Sequence, residues 1–271
     1  MIQEEHDFHT YHVVRCPNCD LIQTAEHYAE LSPDYVGLDE SAVDENRLWC
    51  QGDHKLAAFR QWLAYTERFA SRQSPRQSPR LLDVGCGTGG FLKFASANGF
   101  RAFGFDASSA QAQHAQSLFP EVRHATSIPD YLEIINQRGL KFDCITLWDV
   151  FEHIRNPVPF LQQLAGALEP GGHLFISVPN GRAIPWKIRI HRAWNKPLDL
   201  APWEHVFYHS FRSLEKCIET SSLEAVDFGA VACYPRPLSL FELCRRAGFF
   251  MLGAIPSFSP QIFAWARKPI E

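Results

Sequence analysis

The chain has 271 residues, 46% of them hydrophobic and 21% charged, with 26 Lys and Arg against 30 Asp and Glu for a formal charge of −4. Such a composition supports one large domain with an appendage or two small ones, excludes a disordered chain, and its acidic balance disfavours nucleic acid as a partner. No run approaches the roughly 20 consecutive apolar residues of a membrane span, and residues 1–7 lack the basic start and apolar centre of a secretion signal, so the expectation is a cytoplasmic protein with no membrane partner.

Along the chain, Cys16-Pro17-Asn18-Cys19 is met first. Among eight cysteines it alone has the spacing of a metal knuckle, and His6, His9 and His12 stand close by. Leu56, Phe59 and Leu63 predict an amphipathic helix over residues 48–70. Arg-Gln-Ser-Pro, twice in succession at 72–79, reads as an exposed connector. Strands and helices then alternate: strand 80–84, helix 90–98, strand 101–105 closed by Asp106, helices 109–118 and 130–137, strand 142–148, helix 158–168 and strand 174–178. This order predicts a mostly parallel sheet with helices on both faces. Periodicity vanishes over 179–210, where Trp186, Trp194 and Trp203 accumulate with Pro185, Pro197 and Pro202, so a lid or binding loop is expected there. The tail reads as helix 211–220, strand 225–233, an apolar helical stretch at 238–250 and a last strand at 262–266.

The run Asp83-Val84-Gly85-Cys86-Gly87-Thr88-Gly89-Gly90 joins a strand to a helix through glycines, which let the backbone turn sharply and approach a ligand without Cβ atoms in the way. Gly85, Gly87 and Gly90 also fit a dinucleotide pattern, with Asp106 where a ribose-binding acid would stand. Asp83 argues against that cofactor, because a carboxylate at the turn repels a pyrophosphate seated on the helix N-terminus. The same carboxylate attracts the sulfonium and ammonium of S-adenosylmethionine.

This turn resembles the first motif of class I S-adenosylmethionine-dependent methyltransferases. Three further blocks agree in order: Phe103-Gly104-Phe105-Asp106, Phe142-Asp143-Cys144-Ile145-Thr146-Leu147-Trp148, and Leu168-Glu169-Pro170-Gly171-Gly172-His173-Leu174. The resemblance implies an α/β fold, a Rossmann-like seven-stranded sheet whose last strand runs antiparallel, in a methyltransferase domain over 80–271. Ahead of it stand the Cys-x-x-Cys segment, 1–47, and the helix with its linker, 48–79. It also implies S-adenosylmethionine as cofactor, with Asp83, Gly85, Cys86, Gly87 and Gly89 around the methionine part, Asp106 on the ribose hydroxyls, and Ala107 and Trp148 as neighbouring contacts.

Asp149-Val150-Phe151-Glu152-His153 follows the 142–148 strand, at the edge of the sheet where ligands bind. A helical turn there would bring Asp149 onto one face with Glu152 or His153. The segment resembles the acid-and-histidine element of ubiquinone-biosynthesis O-methyltransferases and small-RNA 2′-O-methyltransferases, which implies either a divalent ion beside the acceptor hydroxyl or His153 as general base. Asp149, Glu152 and His153 are therefore the catalytic candidates. Cys16 and Cys19 resemble half of an N-terminal zinc ribbon, to be completed by His6 and His9 or left as a degenerate ribbon with two free thiols. The expected activity is methyl transfer to a small-molecule hydroxyl. An RNA 2′-O-methyltransferase and a non-catalytic binding module are the alternatives.

Overall fold

A computed structural model describes residues 13–24, 53–69, 78–194, 205–231 and 259–270. The expected connector at 71–77, the apolar stretch at 238–250, His6, His9, His12 and Trp203 lie outside the described residues.

Continuous apolar runs make the centre of the sheet. β3 (Arg80–Val84) and β6 (Phe142–Trp148) are covered on both faces, as strands between helical layers must be. The strands β4 (Arg101–Asp106), β5 (Val122–His124), β7 (Leu168–Pro179), β9 (Glu224–Ala230) and β10 (Gln261–Arg267) join them in the order β5-β4-β3-β6-β7-β10-β9. Pairing is parallel from β5 to β7 and antiparallel on both sides of β10. The chain therefore leaves β3 towards β4 and β5 and returns to β6 on the other side, which opens a crevice at the carboxyl ends of β3 and β6.

One face of the sheet is covered by α1 (Asp53–Phe69), α2 (Gly90–Ala97) and α3 (Ser109–Leu118), through Phe59, Trp62, Phe91, Leu92 and Ala115. Helix α1 thus shares the core of the sheet; Trp62 is fully buried. The other face is covered by α4 (Ile128–Gln137), α5 (Pro157–Ala167) and α7 (Phe211–Thr220), through Tyr131, Leu161, Leu164 and Leu214. Helix starts follow capping chemistry. Ser127 accepts from the Asp130 amide ahead of α4, and Ser210 and Ser213 form a reciprocal capping box on α7.

A second sheet of three short strands is built from β1 (Val13–Arg15), β2 (Ile22–Thr24) and β8 (Phe207–Tyr208). Between β7 and β8 the structure differs from the aperiodic lid expected from the sequence: residues 184–193 form helix α6 (Ile184–Ala193). Its Ile184 and Ile188 bury against Ile22 and Tyr208. A glycine is required where this layer meets β7, because a Cβ on Gly181 would stand 2.4 Å from the Tyr208 carbonyl oxygen.

Candidate active site

One side of the crevice is built by the turn after β3. Gly85, Gly87 and Gly89 have φ of 70°, 53° and 84°, the left-handed region that glycine enters without cost. A Cβ on Gly85 would also lie 2.5 Å from Val150 Cγ2, so the turn and the segment after β6 approach as closely as they do only without a side chain there. Beneath the turn, the buried Cys86 thiol packs against Gly104 of β4.

Asp83 is 2% exposed, and its Oδ1 accepts a hydrogen bond from Thr146 Oγ1 at 2.7 Å. Burial, with Asp106 adding repulsion, pushes its carboxyl up to about 8 although the Thr146 bond opposes the shift. Asp106, at the end of β4, accepts from the Gly87 amide at 2.8 Å and the Ser108 amide at 2.9 Å, which fixes it against the glycine turn. Burial raises this carboxyl too, against the backbone donors. Ala107 is exposed, with its carbonyl oxygen 3.1 Å from His124 Nε2. The Trp148 ring packs among Phe59, Phe91 and Phe175, and its buried indole nitrogen has no hydrogen-bond partner among the described residues.

After β6, the expected helical turn begins late. Residues 151–153 form one 3-10 turn, while Asp149 sits at φ 55°, outside it. The three candidates are therefore separated. Asp149 is ion-paired with Lys55 of α1 and accepts a hydrogen bond from Gln261 of β10, so it joins two distant elements. Glu152 and His153 instead meet His205: each offers a ligand atom, and these atoms all lie within 4.8 Å of one another. The Val206 amide donates to the Glu152 carbonyl at 3.1 Å, which brings the lid residue into place.

Glu152 is fully buried and, among the described residues, neither carboxylate oxygen has a hydrogen-bond partner. Burial, then repulsion from Asp149, raises its carboxyl well above the usual range. A buried carboxylate in that state costs several kcal/mol if ionised alone, and a proton or a cation removes the cost. Burial and the neighbouring His153 push His205 down to about 4, so its imidazole is neutral and able to ligate at neutral pH. The donor set of one carboxylate and two imidazoles, with both carboxylate oxygens orphaned, fits a divalent ion. Sequence spacing offered no route to His205, which lies 52 positions beyond His153 and is set by the fold. Lys55 carried a signal: it stands on the stripe Lys55, Ala58, Phe59, Trp62 that α1 buries, where a charge needs a partner.

Cys16 and Cys19 sit on the turn between β1 and β2. The Cys16 amide donates to Leu21 at 2.8 Å and the Asp20 amide to the Cys16 carbonyl at 2.9 Å. The Cys19 and Asn18 amides and the Cys19 thiol hold the Cys16 thiol below its ordinary pKa, while burial raises that of Cys19. Such a turn aims two sulfurs at one point.

The sequence profile of a family described as "Methyltransferase domain" matches residues 53–252. The ubiquinone biosynthesis O-methyltransferase of Caulobacter vibrioides is 31% identical over 132 residues, 46% of this chain and 51% of that protein. That of Xanthomonas axonopodis pv. citri is 28% identical over 187 residues, 61% of this chain and 77% of that protein. The chain spans about half the length of the Caulobacter relatives, 48% and 51%. Among solved structures, the plantazolicin methyltransferase BpumL in complex with SAH is similar with a TM-score of 0.52 at 17% identity, covering 87% of this chain and 92% of that one. Magnesium protoporphyrin IX methyltransferase from Synechocystis PCC 6803 with bound SAH has a TM-score of 0.51 at 14% identity, covering 90% and 91%.

Proposed function

The chain belongs to the methyltransferase-domain family of class I S-adenosylmethionine-dependent enzymes, and from that premise we propose that it methylates a hydroxyl of a small molecule. One observation carries the choice of acceptor: Glu152, His153 and His205 converge beside the end of β6, next to the crevice where the donor turn lies. Methyl transfer asks for alignment and exclusion of water, because the sulfonium methyl is already electrophilic. A proton-accepting or ion-holding group is needed only where the acceptor has a proton to lose, as a hydroxyl does. The ubiquinone-biosynthesis relatives, named as O-methyltransferases, support the same reading.

On the donor side, Asp83 neutralises the positive charge of the methionine part, the Gly85–Gly89 backbone allows its close approach, and Asp106 exchanges its hold on the glycine turn for the ribose hydroxyls. On the acceptor side, Glu152, His153 and His205 are the residues that would hold a divalent ion. When bound, the ion supplies a positive charge that orients the acceptor oxygen and lowers its pKa. Without an ion, His153, half-buried, would instead keep a ring nitrogen to take the hydroxyl proton, with Glu152 buried beside it. Asp149 has a different task, tying α1 and β10 across the site.

The test combines binding and turnover. Asp106→Ala should weaken S-adenosylmethionine binding in calorimetry, and the wild type should show no NAD binding; unchanged affinity or tight NAD would overturn the donor assignment. With a panel of phenolic and alcoholic acceptors, His153→Ala should lose about 10²- to 10⁴-fold in rate with cofactor affinity kept. His205→Ala and a chelator should act alike. Full turnover in both variants would remove the acceptor-side assignment.

A further inference from the structure

Helix α6 is apolar on two opposite sides. Ile184 and Ile188, 3% and 1% exposed, face the three-stranded sheet. Trp186, Ile190 and Trp194 recur at four-residue spacing and are 49%, 45% and 69% exposed. The Trp194 amide donates to the Ile190 carbonyl at 3.1 Å, so the turn continues and the three side chains form one stripe about 12 Å long at 1.5 Å per residue. A surface helix needs one apolar side for its own protein, and a second side marks an interaction surface.

Charge says what that surface meets. Residues 170–198 contain no Asp or Glu, while Arg182, Lys187, Arg189, Arg192 and Lys196 give five cations there, in a chain whose net charge is −4. Arg182, Lys187 and Arg189 are exposed, and the Arg189 guanidinium lies 5.7 Å from the centre of the Trp186 ring. We propose that the outer side of α6 docks this protein on an anionic lipid surface, with Trp186, Ile190 and Trp194 entering the boundary layer and Lys187 and Arg189 meeting headgroup phosphates. This attachment is peripheral. It is compatible with the finding that, among the described residues, no helix is long and apolar enough to cross a membrane.

Two other occupants fit less well. A second copy docking through the same side would set Lys187 and Arg189 against their own images, and like charges across an interface oppose association. RNA would stack on aromatic faces, but Ile190 breaks the stripe between the two indoles and has no such face.

The test uses the full chain with sucrose-loaded vesicles, equal parts phosphatidylglycerol and phosphatidylcholine, against phosphatidylcholine alone. The chain should sediment with the anionic vesicles and less so as salt rises. Lys187→Gln with Arg189→Gln should weaken partition roughly 30-fold, at about fivefold per cation. Trp186→Ser, Ile190→Ser and Trp194→Ser together should abolish it, with S-adenosylmethionine binding measured on the same sample to show that the variant is folded. A wild-type chain that stays in the supernatant with anionic vesicles overturns the proposal. So does sedimentation that survives the triple change, a dimer in light scattering that the same changes dissolve, or retention of single-stranded RNA in place of vesicles. Failure here leaves the acceptor reading untouched, since that is measured by turnover.

Discussion

Binding of the methyl donor should release a proton from Asp83. In the free protein this carboxyl is 2% exposed, receives one side-chain hydrogen bond and stands at about 8. At pH 7 about one molecule in ten then carries the ionised form, and at pH 6 about one in a hundred. Because the cationic donor requires the anion, its apparent affinity should rise about ninefold from pH 6 to pH 7, with close to one proton released per donor bound. Calorimetry in two buffers of different ionisation enthalpy measures both quantities. The window stops short of pH 7.5, where an α-amino group begins to lose its own proton. Asp83→Asn keeps the shape but cannot ionise, so its binding should be roughly 10- to 100-fold weaker, the value of a charged hydrogen bond, and lose the slope. An affinity that is flat over this range with no proton release, or an Asn variant with the same slope, would refute the reasoning. Stability of the free protein carries the opposite sign. A carboxyl raised by folding stabilises fully below its unfolded pKa and loses that contribution as pH rises through about 8, so the unliganded melting temperature should fall across the range in which donor affinity climbs.

If Cys16 and Cys19 hold zinc, elemental analysis should give about one zinc per chain, and deleting residues 1–20 should remove it; zinc that survives the deletion would place it elsewhere. Lys55→Met leaves Asp149, a quarter exposed, with Gln261 in place of an ion pair. Denaturant unfolding should show a loss of about 1–3 kcal/mol, below the full cost of a buried pair because Asp149 is partly solvated, and an unchanged midpoint would contradict the clamp.

What the sequence disclosed depended on how local each signal was. The turn after Asp83 and the apolar run of β6 are contiguous, and their bounds agree with the structure because glycine conformation and strand burial are set within a few residues. Helix α6 was hidden for a physical reason. With Ile184 and Ile188 inside and Trp186, Ile190 and Trp194 outside, its hydrophobic residues surround the axis and leave no one-sided stripe. β5, three residues long, was too short to announce itself, and β7 runs through Pro170-Gly171-Gly172, residues that read as a turn. Asp149 was grouped with Glu152 and His153 on the assumption of helical φ; its left-handed backbone sends the carboxylate to Lys55 and Gln261. His205 reaches the site because backbone hydrogen bonding at Val206 delivers it, a relation between chain segments that no spacing rule records.

The short strand β8 ties two ends of the molecule into one mechanical part. On one side Tyr208 pairs with Ile22, Phe207 with Gln23, and Ser210 Oγ donates to the Cys19 carbonyl at 3.1 Å. On the other, three residues earlier at most, the Val206 amide donates to the Glu152 carbonyl and His205 stands with Glu152 and His153. β8 is two residues long, so only a few backbone bonds separate the segment that pairs with β2 from the residues that meet Glu152. Loosening the cysteine turn, by oxidation of its thiols, should therefore be felt as misalignment at His205, although His205 lies 186 positions beyond Cys19 in the sequence.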